Sequence, residues 1–407
     1  MTVDTAVETE MQESSRSLWI YALSVATFFG ASSAPTPLYR LYQEAWGFTP
    51  ATLTIVFGTY AFSLLVALLM TGSLSDYLGR KPVILGGIAL EIVSMFVFAQ
   101  AHNVQVLIIA RGLQGVATGA ATSALGAAIL DASRDRGALI NTLAPLFGMG
   151  LGALGAGMLV AHAPWPMTLI YVVLIALLLA EGGLTLSLRE TVAPIPGALA
   201  ALVPRVHVPR SARGAMLRVA PVNIAVWALG GFYLSLGPNL ARIVTSSNDV
   251  TVGGWVVFAL TTSGLAAVVV LRGLATLRLL TVGAIALVAG LLITLWAVHA
   301  GSAMIFFIGT IIAGTGFGSA FQGAVRSVLP LAAAHERAGL MAAFYVLSYL
   351  AFSVPAIVAG TLAHSIGLRP TTNLYGVALA FLSVLTLLAS TLSKESGRNV
   401  EQSCKAR

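Results

Sequence analysis

The sequence predicts an all-α membrane protein: twelve transmembrane helices in two parallel six-helix repeats around a central cavity. Three observations carry this. Of the 407 residues, 57% are hydrophobic and 9% are charged, against about 25% charged in an average soluble protein. The apolar residues gather into twelve runs, each near the roughly 20 residues that cross a bilayer. Features of the first half also recur in the second at a constant offset. The same numbers exclude other classes. A soluble enzyme needs a charged surface, a disordered chain is rich in charge, and a coiled coil needs Glu/Lys positions this chain lacks. The 41 glycines and 16 prolines have no Gly-X-Y period and suit close packing of membrane helices. A net charge of +7 is scattered one or two residues per loop, which argues against nucleic acid.

Residues 1–17 read as a polar tail with Asp4, Glu8, Glu10 and Glu13, unlike the basic start of a signal peptide. The first span, near 18–38, offers Tyr21, Ser24, Thr27, Ser32 and Ser33 and is broken at its outer end by Pro35 and Pro37. Spans near 51–71, 82–100, 105–129, 138–161 and 166–187 complete an N-terminal bundle, 18–187. The segment 188–216 holds Arg189, Arg205, Arg210 and Arg213 among four prolines and reads as a cytoplasmic linker against lipid headgroups. A C-terminal bundle, 217–392, has spans near 217–239, 252–271, 279–299, 303–328, 338–362 and 372–392, followed by a tail, 393–407. Its first span carries Asn223, Trp227, Tyr233 and Asn239 and is broken by Pro238. With both termini cytoplasmic, 18 of the 22 Lys/Arg lie inside and three outside: Arg40, Arg242 and Arg369. That bias sets the orientation.

The repeat is visible in single residues. Pro37 and Pro238, Gly72 and Gly273, and Arg136 and Arg337 are each 201 positions apart. Six helices per copy gives both copies one orientation. Such halves can rock around a central site, which points to a transporter.

Between the second and third spans the chain reads Gly72-Ser-Leu-Ser-Asp76-Tyr-Leu-Gly79-Arg80-Lys81-Pro82. Gly79 permits a tight turn and Pro82 suits a first helical turn. The bland alternative is positive-inside anchoring. This stretch matches G-x-L-x-D-x-x-G-R-K, and with the twelve-span plan the chain resembles the major facilitator superfamily. The resemblance implies that Asp76 faces the start of the eleventh span, that Arg80 pairs with Asp131, and that the set gates the cytoplasmic side. In the second copy Leu277 stands where Asp76 would, so an asymmetric gate is expected.

The fourth span holds Arg111 about 9 Å deep, at 1.5 Å per residue, with Gln114, Thr118 and Thr122 on its face. Arg111, Gly115 and Gly119 match the superfamily motif R-x-x-x-G-x-x-x-G, which implies a part in proton coupling or substrate binding; snorkelling to the headgroups is the competing reading. Gly148, Gly152 and Gly157 in the fifth span let helices approach closely. They also match the superfamily's exporter motif, in which Ala153 replaces the proline and Ala156 a glycine. Tyr21, Ser24, Asn223, Trp227 and Tyr233 are expected to line the cavity. Glu91, about 13 Å into its span, and Glu181 are the deep acids, as structural hydrogen-bond partners or proton carriers.

No metal spacing accompanies His102, His162, His299 and His364, and no hydrolase or nucleotide motif is present. Neither enzyme activity nor a cofactor is expected. The expectation is a monomeric inner-membrane secondary transporter in contact with lipid, exporting small drug-like or sugar-like compounds by alternating access with protons as the coupling ion. The competing reading is an importer of a small, possibly anionic metabolite, using Arg111 and the outer arginines.

Overall fold

The computed structural model describes the backbone of residues 3–405 and the side chains of residues 13–389. Cys404 and the acids Asp4, Glu8 and Glu10 fall outside the described side chains. The elements are all helical: α1 (Val3–Ser33), α2 (Pro35–Trp46), α3 (Pro50–Thr71), α4 (Leu74–Leu78), α5 (Arg80–Ala99), α6 (Val104–Ala132), α7 (Arg134–His162), α8 (Leu169–Leu186), α9 (Arg210–Ser235), α10 (Gly237–Thr245), α11 (Thr251–Val270), α12 (Thr276–Ala300), α13 (Ala303–Val328), α14 (Arg337–Ile366) and α15 (Leu368–Lys405). Among the described residues, twelve stretches are long and apolar enough to cross a membrane. The chain forms two compact units. The first runs to Arg205 and adds Asn248–Phe258; the second takes Val206–Ser247 and everything from Ala259.

Local chemistry sets the helix ends. Asn103 accepts from the Val106 N–H at 2.9 Å, Thr49 from Thr52 at 3.2 Å, and Ser133 from Arg136 at 3.3 Å. Each side-chain oxygen satisfies an amide that has no partner inside the first helical turn. The proline breaks fall where the sequence puts them: α1 stops at Ser33 before Pro35, and α9 stops at Ser235 before Pro238. The two copies thus share a long helix followed by a short one. Inside α9, Pro221 interrupts the helical ladder, and Thr386 of α15 accepts the neighbouring Val222 N–H at 3.1 Å. A side chain from an adjacent helix replaces water that the bilayer does not provide.

Three boundaries differ from the sequence reading. The α1 helix begins at Val3 and α15 runs to Lys405, so regular backbone continues into both polar tails. Helix α9 begins at Arg210 rather than near 217, because Pro209 precedes a turn whose arginines depress hydropathy without opposing a helix. The rest of the linker has structure too. The Ile195 N–H donates to the Tyr77 carbonyl at 2.9 Å, and Ser73 donates to the Ala201 carbonyl at 3.3 Å.

Glycines set the close approaches within the first unit. A Cβ at Gly148 or Gly152 of α7 would overlap the backbone of Ala26 or Gly30 in α1. A Cβ at Gly115 would sit 2.7 Å from the Ser63 Cβ, and one at Gly119 2.8 Å from the Ala67 Cβ, so both glycines seat α6 on α3. Gly157 is less constrained. Its nearest neighbour would be the Thr251 Cα at 3.4 Å, an ordinary contact.

Candidate functional site

Two polar constellations lie in the first unit. One surrounds the loop between α3 and α5. Gly72 caps α3, and a Cβ there would meet the Leu68 carbonyl at 2.8 Å. Gly79 has φ +95°, a conformation L side chains rarely adopt, and turns the chain from α4 into α5. That turn aims Arg80 back over α4. Its Nη1 donates to Ser75 at 2.7 Å and to Asp76 at 2.5 Å, while Nε donates to Asp131 at 3.1 Å. Lys81 Nζ donates to the Leu186 and Leu188 carbonyls at 3.0 and 2.5 Å, where its charge complements the C-terminus of α8.

Glu190, from the linker, is part of this constellation and goes unseen in the sequence. Its Oε1 accepts the N–H groups of Arg80, Thr191 and Val192 at 2.9, 2.9 and 3.2 Å; its Oε2 accepts that of Lys81 at 2.9 Å. The carboxylate thus covers the positive start of α5. Partial burial works against the charge, but the four backbone amides prevail and hold its pKa below the usual carboxylate value. A Cβ at Gly79 would come within 2.7 Å of Glu190 Oε2, a second reason for glycine there. A lone acid beside Arg189 in a proline-rich segment carries no signal of this contact.

The second constellation is buried among α1, α2, α5 and α6. Arg111 is 0% exposed, so its guanidinium does not reach out to headgroups. Nε donates to the Tyr39 hydroxyl at 2.9 Å, and Nη2 also donates to that hydroxyl. Nη1 donates to the Ser32 carbonyl at 2.8 Å and to Gln114 Oε1 at 2.6 Å. The rings of Tyr39, Tyr60 and Phe98 lie 5.4, 5.3 and 5.7 Å from the guanidinium carbon, within cation–π range. None of the ion pairs among the described residues involves Arg111. Its nearest route to an acid is the Gln114 side chain, whose Nε2 donates to Glu91 Oε1 at 3.1 Å. Glu91 is wholly buried, and its Oε2 has no hydrogen-bond partner among the described residues. Thr118 joins this face but bonds back to the Gln114 carbonyl at 2.9 Å. Glu181 is buried separately, accepting from Thr27 at 2.5 Å.

The remaining candidates are dispersed. Tyr21 and Ser24 are buried on α1. In the second unit Asn223 donates to Ser348 at 2.9 Å, Tyr233 shares a 3.1 Å hydrogen bond with Thr310, and Trp227 packs against Phe321, Tyr349 and Phe352. Leu277, opposite Asp76 in the repeat, lies on α12 with Arg278 beside it.

Comparison with known proteins gives a consistent family. The Multidrug resistance protein MdtL of Shewanella sp. (strain ANA-3) is 29% identical over 157 residues, 36% of this chain and 37% of that protein. MdtL of Klebsiella pneumoniae is 33% identical over 99 residues, 24% of this chain and 25% of that protein. The Quinolone resistance protein NorA of Staphylococcus aureus is 27% identical over 118 residues, 29% of this chain and 30% of that protein. The matches thus span between a quarter and about a third of these relatives. A crystal structure of a point mutant of the nucleoside transporter NupG superposes with a TM-score of 0.69 at 13% identity, covering 92% of this chain and 99% of that one, a likeness of fold. The Major Facilitator Superfamily model matches residues 21–354, and the chain belongs to that superfamily.

Proposed function

We propose that this protein is a multi-pass inner-membrane secondary transporter that exports small organic compounds in exchange for protons, with both termini cytoplasmic. The observation that carries the reading is the buried Arg111–Gln114–Glu91 chain. A guanidinium in an apolar span is costly and is retained where charge does work. Here it is held by neutral oxygens and aromatic rings, with one carboxyl an amide away. Loading or unloading a proton at Glu91 changes the charge opposite Arg111 and thereby the balance of the network that ties α1, α2, α5 and α6 together. The Asp76–Arg80–Asp131 cluster then serves as the gate on the cytoplasmic side. Relatives named for multidrug and quinolone resistance favour drug-like substrates over sugars.

The importer reading needs arginines open to an anion. Arg40 instead pairs with Glu44 at 2.6 Å and donates to the Asn248 carbonyl at 3.1 Å, and Arg111 already donates four hydrogen bonds within the chain. The test is accumulation of norfloxacin and ethidium in cells lacking their own exporters. Expression lowers accumulation, and a proton uncoupler restores it. Raised accumulation on expression selects import, and export unaffected by the uncoupler removes the proton.

A further inference from the structure

The two units differ in what they bury. The buried acidic and basic side chains Arg80, Glu91, Arg111 and Glu181 all belong to the first unit, and among the described residues of the second none buries an Asp, Glu, Lys or Arg. The second unit instead gathers aromatic rings on α9, α13 and α14. Trp227 lies 4.9 Å from Tyr349 and 5.8 Å from both Phe321 and Phe352, centroid to centroid, with the two phenylalanines edge-on at 70° and 80°. Tyr345 extends the cluster, 6.2 Å from Tyr349. Trp227, Phe321 and Tyr345 are each partly exposed, so this is a face and not a sealed core.

Two polar atoms on α9 stand without partners at this cluster. A buried indole N–H normally finds an acceptor, yet Trp227 Nε1 has none among the described residues. Asn223, four residues back and on the same face of α9, is wholly buried; its amide donates to Ser348 while Oδ1 stays unpartnered. A buried polar group left unpaired is destabilising, so one donor and one acceptor beside an aromatic face are complementary to a ligand that brings one acceptor and one donor.

We infer that the Trp227–Asn223 face of the second unit is a substrate subsite for flat, uncharged aromatic heterocycles bearing both an N–H donor and a carbonyl acceptor. The inference rests on the transporter reading above for its place in function, but not for binding itself. Ring faces accept any planar π-system, and the two polar atoms fix its orientation. With no buried charge nearby, a formal charge on the ligand is not required. The coupling charges stay in the first unit.

The test is equilibrium binding of lumichrome, a neutral flat alloxazine with N–H and C=O groups, to the full-length protein in lipid nanodiscs. Its fluorescence is the readout, and lactose is the non-aromatic competitor. Lumichrome is expected to bind, and lactose not to displace it. Trp227→Ala should weaken binding about tenfold, within the range of aromatic stacking on a planar base. Trp227→Phe keeps the stack and should cost less than Trp227→Ala. Asn223→Leu, which removes the acceptor, should weaken binding severalfold; size-exclusion profiles confirm that each variant is folded. Undiminished affinity in folded Trp227→Ala and Asn223→Leu, displacement by lactose, or no binding by the parent protein overturns the subsite. Lumichrome bound through Trp227 but never moved by a proton gradient refutes the transport reading and supports the subsite.

Discussion

At the scale of residues, the charge positions were legible and, apart from the Arg80–Asp131 pair that the superfamily motif implies, most of their partners were not. Arg111 and Glu91 stand out because an ionisable group inside an apolar run is rare. Tyr39 and Glu190 do not stand out, because 72 and 110 positions separate them from the residues they serve. The partners decide what each charge needs. Four donations leave Arg111 from three different nitrogens, a forked pattern that an ammonium does not reproduce. Arg111→Lys is therefore expected to lose nearly as much proton-driven export as Arg111→Ala, at least tenfold, in everted vesicles at equal expression; substantial export by the lysine variant would show that charge alone suffices. Glu190 yields a pH prediction. Its carboxyl titrates below its unfolded value in the folded protein, so the stabilisation is present above the unfolded value and is lost as pH falls through the folded one. The parent's thermal midpoint should drop across that acidic window more than that of Glu190→Gln. At neutral pH the variant should be less stable by about 1 kcal/mol, the usual worth of a helix cap. Parallel pH curves would show that the amides are satisfied without the charge.

Helices follow from the sequence more directly than loops do, because hydropathy and proline are local properties while packing is not. The twelve spans and both proline breaks were readable; the start of α9 was not, since arginine lowers hydropathy without opposing a helix. The glycine run of α7 shows the same limit. Its spacing marked Gly148, Gly152 and Gly157 alike, but only the backbone of α1 separates them. Replacing a mid-helix glycine by alanine ordinarily stabilises by about 0.5–1 kcal/mol. At Gly155, where a new Cβ meets nothing within 4 Å, that gain should appear as a raised thermal midpoint. At Gly152 the same methyl collides with the Gly30 backbone, and overpacking of about 1–3 kcal/mol outweighs the gain. Gly152→Ala should therefore melt lower than the parent, and Gly157→Ala close to it. Equal melting of the Gly152 and Gly155 variants would place α1 and α7 farther apart than described.

For the whole molecule, the internal repeat and the basic-residue bias carry the orientation, and both are properties of the full chain that no single contact supplies. Lys/Arg resist translocation, so in the proposed orientation the side holding 18 of them is cytoplasmic and the side holding Arg40, Arg242 and Arg369 is external. The motif loop with Arg80 and Lys81 and the linker with Arg189 then share one side, as their direct contacts in the first unit require. An even number of spans returns the chain to the side on which it began, so the proposed orientation predicts that Cys404, the sole cysteine, is inside. A membrane-impermeant maleimide added to intact cells should leave Cys404 unlabelled and label it once the membrane is permeabilised; His102→Cys, in the turn between α5 and α6, should show the reverse pattern. Labelling of Cys404 from outside intact cells would invert the orientation. It would also move the Asp76–Arg80–Asp131 cluster to the opposite face, and the proposed cytoplasmic gate would fall with it.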